Sequence, residues 1–100
     1  MEITRNSLSD AFEVGLNGRL VFSENGQFRE VVEELGHHQG KTLVFDVSHL
    51  EFIDSAGLGM LLIAKEEADK YSMNLTVRGA QGQVREMFDI SCFDSILSIE

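Results

Sequence analysis

Residues 52–59 read Phe-Ile-Asp-Ser-Ala-Gly-Leu-Gly, and the five residues that follow, 60–64, are all apolar. This segment places one small hydroxyl, that of Ser55, between an apolar run typical of a β-strand and the beginning of a helix. The first N–H groups of a helix have no partner within the helix and lie at the positive end of its dipole, so a phosphate can be held there. The segment therefore predicts that Ser55 is switched by phosphorylation.

The length and composition are typical of a single globular domain, residues 1–100. Apolar residues make up 43% of the chain, which is enough for one core and too many for a disordered chain. The net charge of −9 argues against nucleic-acid binding, which requires clustered Lys and Arg. No run approaches the roughly 20 apolar residues that cross a bilayer, and no signal peptide is visible, so we expect no membrane insertion. The single cysteine, Cys92, cannot form an internal disulfide, which favours a reducing, cytoplasmic setting.

The pattern of polar and apolar residues predicts five strands and three helices in the order β-β-α-β-α-β-α-β. Alternation of helices and strands implies parallel pairing through crossover connections, and the two opening strands can form a hairpin. We therefore expect an α/β fold, a mixed β-sheet with helices packed on it. The strands are predicted around residues 2–6, 12–16, 43–47, 73–78 and 96–99, and the helices over 28–35, 56–71 and 84–88.

Three segments look like the motifs of one known family. Residues 16–20, Leu-Asn-Gly-Arg-Leu, are similar to its L-x-G-x-L strand end, and residues 84–91 are similar to its late helix. Residues 45–59 closely match its signature D-L-S-x-L-x-F-x-D-S-S/T-G-L-G. On these residues the chain resembles the STAS domain family (sulfate transporter and anti-sigma factor antagonist). The resemblance covers essentially the whole chain and implies the STAS fold.

The resemblance also implies a function, that of an anti-sigma factor antagonist. In the freestanding members, the serine after the motif aspartate is phosphorylated by an anti-sigma factor or a related GHKL-type kinase. The unphosphorylated form binds that partner, phosphorylation releases it, and a PP2C-type phosphatase restores binding. Here that serine is Ser55, and Ala56 stands where many relatives have a second hydroxyl. The chain would then be a substrate of both enzymes and not itself an enzyme, with no cofactor.

The expected partner-binding surface consists of the first turns of the helix and the loop after Leu20. Apolar side chains run all around this helix, so some of them should be exposed beside Ser55 and form a docking surface. Burial under neighbouring loops is the alternative, and core packing is the equal alternative for Phe22. The predicted binding residues are Asp54, Ser55, Ala56, Gly57, Leu58, Gly59 and Leu62 in the helix segment and Val21, Phe22 and Ser23 in the loop.

Several of these residues also have a purely structural interpretation. Ser55 can act as a helix N-cap, a role worth about 1 kcal/mol. Asp54 is equally well explained as the cap or as a polar contact for the kinase. Gly57 and Gly59 each destabilise a helix by about 1 kcal/mol relative to Ala. Another backbone must therefore approach them closely, whether from the domain's own sheet or from a partner.

Catalytic and metal-binding motifs are missing from the sequence. The segment around Ser55 lacks the first glycine of a G-x-S-x-G nucleophile elbow. His37, His38 and His49 have neither triad nor zinc-site spacing, so we expect no metal. Two other functions stay open beside the switch. One is a non-switching STAS subunit of a lipid- or anion-transport complex, and the other is a sensor that binds a nucleotide or lipid between the sheet and a helix.

Overall fold

A mixed sheet of six strands, with three helices packed against it, makes up the computed structural model, which describes residues 1–100. Short 3-10 turns lie at 22–24, 35–38 and 93–95. The strands are β1 (Glu2–Ser7), β2 (Ala11–Leu20), β3 (Thr42–Asp46), β4 (Leu50–Ile53), β5 (Asn74–Arg78) and β6 (Ser98–Ile99), and the helices are α1 (Asn25–Glu34), α2 (Ser55–Lys70) and α3 (Gly82–Ile90).

The pairing of the strands confirms the α/β prediction of a hairpin followed by parallel crossovers. β1 and β2 are antiparallel, with Ile3 opposite Leu16. β2, β3, β5 and β6 then pair in parallel, in that spatial order. Each parallel connection contains a helix, because a chain must cross the sheet before it can form a parallel pair.

The core lies between the sheet and the helices. The apolar members of the alternating strand β2, including Phe12 and Val14, are almost completely buried, as the period of two requires. In β3, residues 43–45 are all buried, which explains its continuous apolar run. The rings of Phe28 in α1 and Phe45 in β3 have centroids 5.6 Å apart, within the range of favourable aromatic pairs.

The strand β4 was left out of the predicted element order, which ran from β3 directly to the helix, although the apolar residues before Ser55 are typical of a strand. β2 pairs with β3 over residues 11–15 and with β4 over residues 18–20. Its register with β4 shifts between Gly18, whose φ is +103°, and Arg19. The burial of the four residues of β4 does not alternate, because only its first and last residues are buried. A strand this short without a period of two is hard to separate from its neighbours as an element of its own.

Candidate functional site

Ser55 is the first residue of α2 and follows β4 after a single connecting residue. Because Leu20 pairs with Ile53 in parallel, the segments that leave β2 and β4 lie side by side. The backbone N–H of Phe22 donates to Oδ2 of Asp54 at 3.4 Å, a long hydrogen bond that joins these two segments. The structure thus brings the predicted loop 21–23 next to the beginning of α2.

Asp54, and not Ser55, is the N-cap of α2. Its backbone is extended, and its Oδ1 accepts a hydrogen bond of 2.7 Å from the N–H of Gly57. The Ser55 hydroxyl has no hydrogen-bond partner in the protein, and the residue is exposed. The N–H groups of Ser55 and Ala56 also lack an acceptor within the protein. An accessible hydroxyl therefore lies beside two free donors at the positive end of the helix dipole.

The two glycines of the motif have different surroundings. A Cβ built on Gly57 would collide with the carbonyl oxygen of Leu20 and would lie 2.7 Å from Cγ1 of Ile53. The domain's own sheet therefore makes the close approach at Gly57. A Cβ on Gly59 would meet nothing within 4 Å. Nothing in the domain itself accounts for a glycine at position 59.

Two residues predicted to bind a partner are in the core instead. Gly57 is buried against β2, and Leu58 is only 7% exposed because its side chain points into the hydrophobic core. Both are therefore removed from the expected binding surface. Their burial shows which side of α2 rests on the sheet, and the sequence of a helix that is apolar all around does not reveal that side.

Two large apolar residues of this region are exposed, namely Phe22 in the loop after β2 and Ile63, which lies about two turns along α2 from Ser55. Phe22 is 72% exposed, so the alternative that it packs in the core is wrong. Ile63 is 52% exposed, and Leu62 is half-buried. Ile63 was not among the predicted binding residues, although it lies four residues after Gly59 and eight after Ser55, a spacing that keeps all three on one side of the helix. Val21 is half-buried and Ser23 is exposed.

We call this surface the Ser55 face. It carries one acidic side chain, that of Asp54, the residue directly before Ser55. Apolar groups and one carboxylate thus surround one free hydroxyl. The face consists of Val21, Phe22, Ser23, Asp54, Ser55, Ala56, Gly59, Leu62 and Ile63.

An open cleft of about 690 Å³ lies on the far side of β4 and does not include Ser55. Its wall is polar, and Leu50 is its one apolar residue. Beneath it, the backbone N–H and hydroxyl of Ser48 donate to Oδ1 of Asp46 at 3.0 and 2.7 Å. These hydrogen bonds, aided by the positive charge of Arg78, hold the pKa of the Asp46 carboxyl below its ordinary value. The cleft is lined by Asn17, Gly18, Ser48, His49, Leu50, Glu51, Gln81, Gly82 and Gln83.

None of the three histidines is hydrogen-bonded to Ser55. His38 stacks on Phe12, with ring centroids 3.8 Å apart, near the opposite end of β2. Its Nδ1 is buried without a partner, and burial lowers the pKa of the ring. No group of three or more His, Cys, Asp or Glu side chains could hold a metal ion. No helix has the length and apolar character needed to span a membrane.

Comparison with known proteins identifies the family. The family model described as "Mlab, STAS domain" matches residues 3–98, and the chain therefore belongs to the STAS domain family. It is 27% identical over 101 residues to a STAS-domain containing protein of Pseudomonas aeruginosa (strain UCBPP-PA14), with 99% of each chain covered.

Solved structures of low sequence identity share the fold. An anti-sigma factor antagonist from Mycobacterium paratuberculosis has a TM-score of 0.81 at 16% identity, over 98% of this chain and 83% of that one. The Bacillus cell fate determinant SpoIIAA in the phosphorylated form has a TM-score of 0.72 at 17% identity, over 99% and 91% of the two chains. The chain thus belongs to the STAS family and shares its fold with these two proteins.

Proposed function

We propose that this protein is a cytoplasmic protein-interaction switch of the anti-sigma factor antagonist type. It binds a GHKL-type serine kinase that acts as an anti-sigma-type partner while Ser55 carries a free hydroxyl. Phosphorylation of Ser55 releases the partner, and a PP2C-type phosphatase removes the phosphate. The observation that carries this proposal is the Ser55 hydroxyl itself, which is exposed and without a partner on the Ser55 face.

The physical basis of the switch is the different cost of a phosphate inside and outside a complex. A phosphate adds about −1.5 to −2 charges at pH 7. In the free protein, water and the N–H groups of Ser55 and Ala56 can solvate this charge. In a complex, the same charge would be desolvated against a partner that packs on Phe22 and Ile63, which is unfavourable. The acidic side chain of Asp54, directly before Ser55, adds repulsion.

A relative of the same fold supports the proposal. SpoIIAA is known in a phosphorylated form with a TM-score of 0.72 to this chain. The STAS fold can therefore carry a phosphate without changing its topology. Phosphorylation of Ser55 is accordingly expected to release a partner and to leave the domain folded.

Mass spectrometry of the intact protein tests the modification directly. The wild-type protein and Ser55→Ala are incubated with ATP and a GHKL-type kinase from the same organism. We expect one added phosphate on the wild-type protein and none on the variant. Equal phosphorylation of both proteins would contradict the assignment to Ser55.

Binding measurements with the same kinase test the release. We expect Ser55→Ala to bind like the unphosphorylated protein, and Ser55→Asp to bind at least about tenfold more weakly, a loss of about 1.4 kcal/mol. Ser9→Asp is the matched control, since Ser9 is exposed in the turn between β1 and β2, at the other end of the sheet. Ser55→Asp binding as tightly as Ser9→Asp would refute the switch.

A second candidate is a non-switching STAS subunit of a transport complex. It is favoured by one observation, namely that a sulfate transporter family protein from Wolinella succinogenes shares the fold, with a TM-score of 0.72 at 18% identity over 89% of this chain and 70% of that one. In that case Ser55→Ala and Ser55→Asp would bind the partner equally well. The same binding measurements therefore distinguish the two functions.

A further inference from the structure

The strand β4 has a hydrogen-bonding neighbour on one side only. It pairs with β2, and no strand lies along its other edge. An edge strand presents unpaired N–H and C=O groups that need partners where they are partly buried. The last residue of β4, Ile53, is buried and lies two positions before Ser55.

The side-chain amide of Gln83 occupies this free edge. Its Oε1 accepts a hydrogen bond from the N–H of Ile53 at 2.9 Å, and its Nε2 donates to the carbonyl oxygen of Ile53, also at 2.9 Å. One amide thus makes the two bonds that a residue of a neighbouring strand would make. Meanwhile the N–H of Asp54, the next residue, donates to the carbonyl of Leu20 on the β2 side at 3.4 Å. The chain entering α2 is therefore held from both sides.

The helix that carries Gln83 is held in place by other contacts. Gln83 lies in the first turn of α3, where Val84 and Phe88 are in the core. Just before it, the amide of Gln81 donates to the carbonyl oxygen of Ser48 at 2.7 Å. The position of α3 thus depends on other contacts, and Gln83 projects from a fixed helix onto the backbone of Ile53.

We infer that Gln83 is a positioning residue for the switch, because its two hydrogen bonds to Ile53 fix the place at which Ser55 is presented to the kinase. This role rests on the proposed phosphorylation of Ser55. Phosphoryl transfer depends on holding the attacking oxygen in line with the donor, and a misplacement of about 1 Å can reduce the rate by about a hundredfold. The hydroxyl of Ser55 has no hydrogen bond of its own, so its position is set by the backbone that precedes it.

The test compares Gln83→Met with Gln81→Met. Methionine has nearly the length of glutamine but forms no comparable hydrogen bonds, so each variant removes one amide from the same end of α3. Only Gln83→Met frees the backbone next to Ser55. Steady-state phosphorylation of Ser55 by the GHKL-type kinase is measured at a temperature where thermal unfolding curves show all the proteins folded. We expect Gln83→Met to lower kcat by about tenfold or more and to change KM by less than about twofold.

If Gln83 had a purely structural role, the two variants would show a different pattern of kinetic effects. Loss of general stability would affect both variants alike and would not separate kcat from KM. In the isolated protein, the amide NMR resonances of Ile53 and Ser55 should shift in Gln83→Met and stay unchanged in Gln81→Met. Wild-type kcat in Gln83→Met, or an equal loss in both variants, would overturn the positioning role alone. A wild-type protein that accepts no phosphate on Ser55 would overturn the proposed function, and the positioning role with it.

Discussion

Replacing Gly59 by alanine should stabilise the protein and weaken its complex at the same time. The new Cβ meets nothing within 4 Å, so it causes no clash in the free protein. Gly59 lies in the interior of α2, where alanine is favoured over glycine by about 1 kcal/mol. For a domain of this size, that gain corresponds to a rise in Tm of about 4–8 °C.

The loss of binding follows from the position of Gly59 on the Ser55 face. If a partner backbone packs closely there, the added methyl group overpacks the interface at a cost of about 1–3 kcal/mol. This energy corresponds to a Kd that is roughly 5- to 140-fold higher. Thermal unfolding of the free protein and calorimetric titration with the kinase measure the two effects separately.

Gly57→Ala is the matched control, since it makes the same change two residues earlier in the helix. Its Cβ would collide with the carbonyl oxygen of Leu20, which cannot move without disturbing the pairing of β2 and β4. We expect this variant to lose about 1–3 kcal/mol of stability or more. Gly59→Ala with raised stability and unchanged Kd would show that no partner contacts Gly59. A lowered Tm in Gly59→Ala would refute the reasoning about the helix.

Two further predictions concern stability. Asp54→Ala removes the cap of α2 and the hydrogen bond from the N–H of Phe22. We expect chemical denaturation to show a loss of about 0.5–2 kcal/mol in the free energy of unfolding. A smaller loss would show that the cap contributes little. The pKa of the Asp46 carboxyl is lower in the folded protein than in the unfolded chain. The ionised carboxylate therefore stabilises the fold at any pH above the ordinary carboxyl pKa. This stabilisation is lost as the pH falls through the lower pKa of the folded state. Ser48→Ala should therefore be less stable than wild type at neutral pH. In acid titrations, the difference in the free energy of unfolding should shrink below about pH 4. A difference that stays constant with pH would contradict this explanation.

Much of the fold could be predicted from local patterns. The alternation in β2, the apolar run of β3 and the heptad-like spacing in α1 each report burial of one element, and burial repeats with the period of that element. The segment around Ser55 predicted a helix N-terminus, and α2 begins at that residue. The strand β4 was left out of the predicted order, because it forms only by pairing with residues 18–20 of β2, beyond the part of β2 that pairs with β3.

The site was predicted less completely than the fold. The differences between the predicted and the observed surface residues have one cause. Sequence spacing shows which residues of α2 share a side of the helix, but it does not show which side rests on the sheet. For that reason Leu58 was assigned to the surface and Ile63 was not among the predicted binding residues. The identity of the cap was equally open, since both Asp54 and Ser55 are good N-cap residues.

The sequence alone determined that a lone serine stands at the beginning of an apolar helix, because residue type and helix periodicity are local properties. Only the tertiary structure decided that Asp54 takes the capping bonds, that the Ser55 hydroxyl is left free, and that Gln83 holds the backbone before it. Gln83 is 28 positions from Ser55 in the chain. Contacts over such a separation depend on how the strands and helices pack, and no local pattern in the sequence records them.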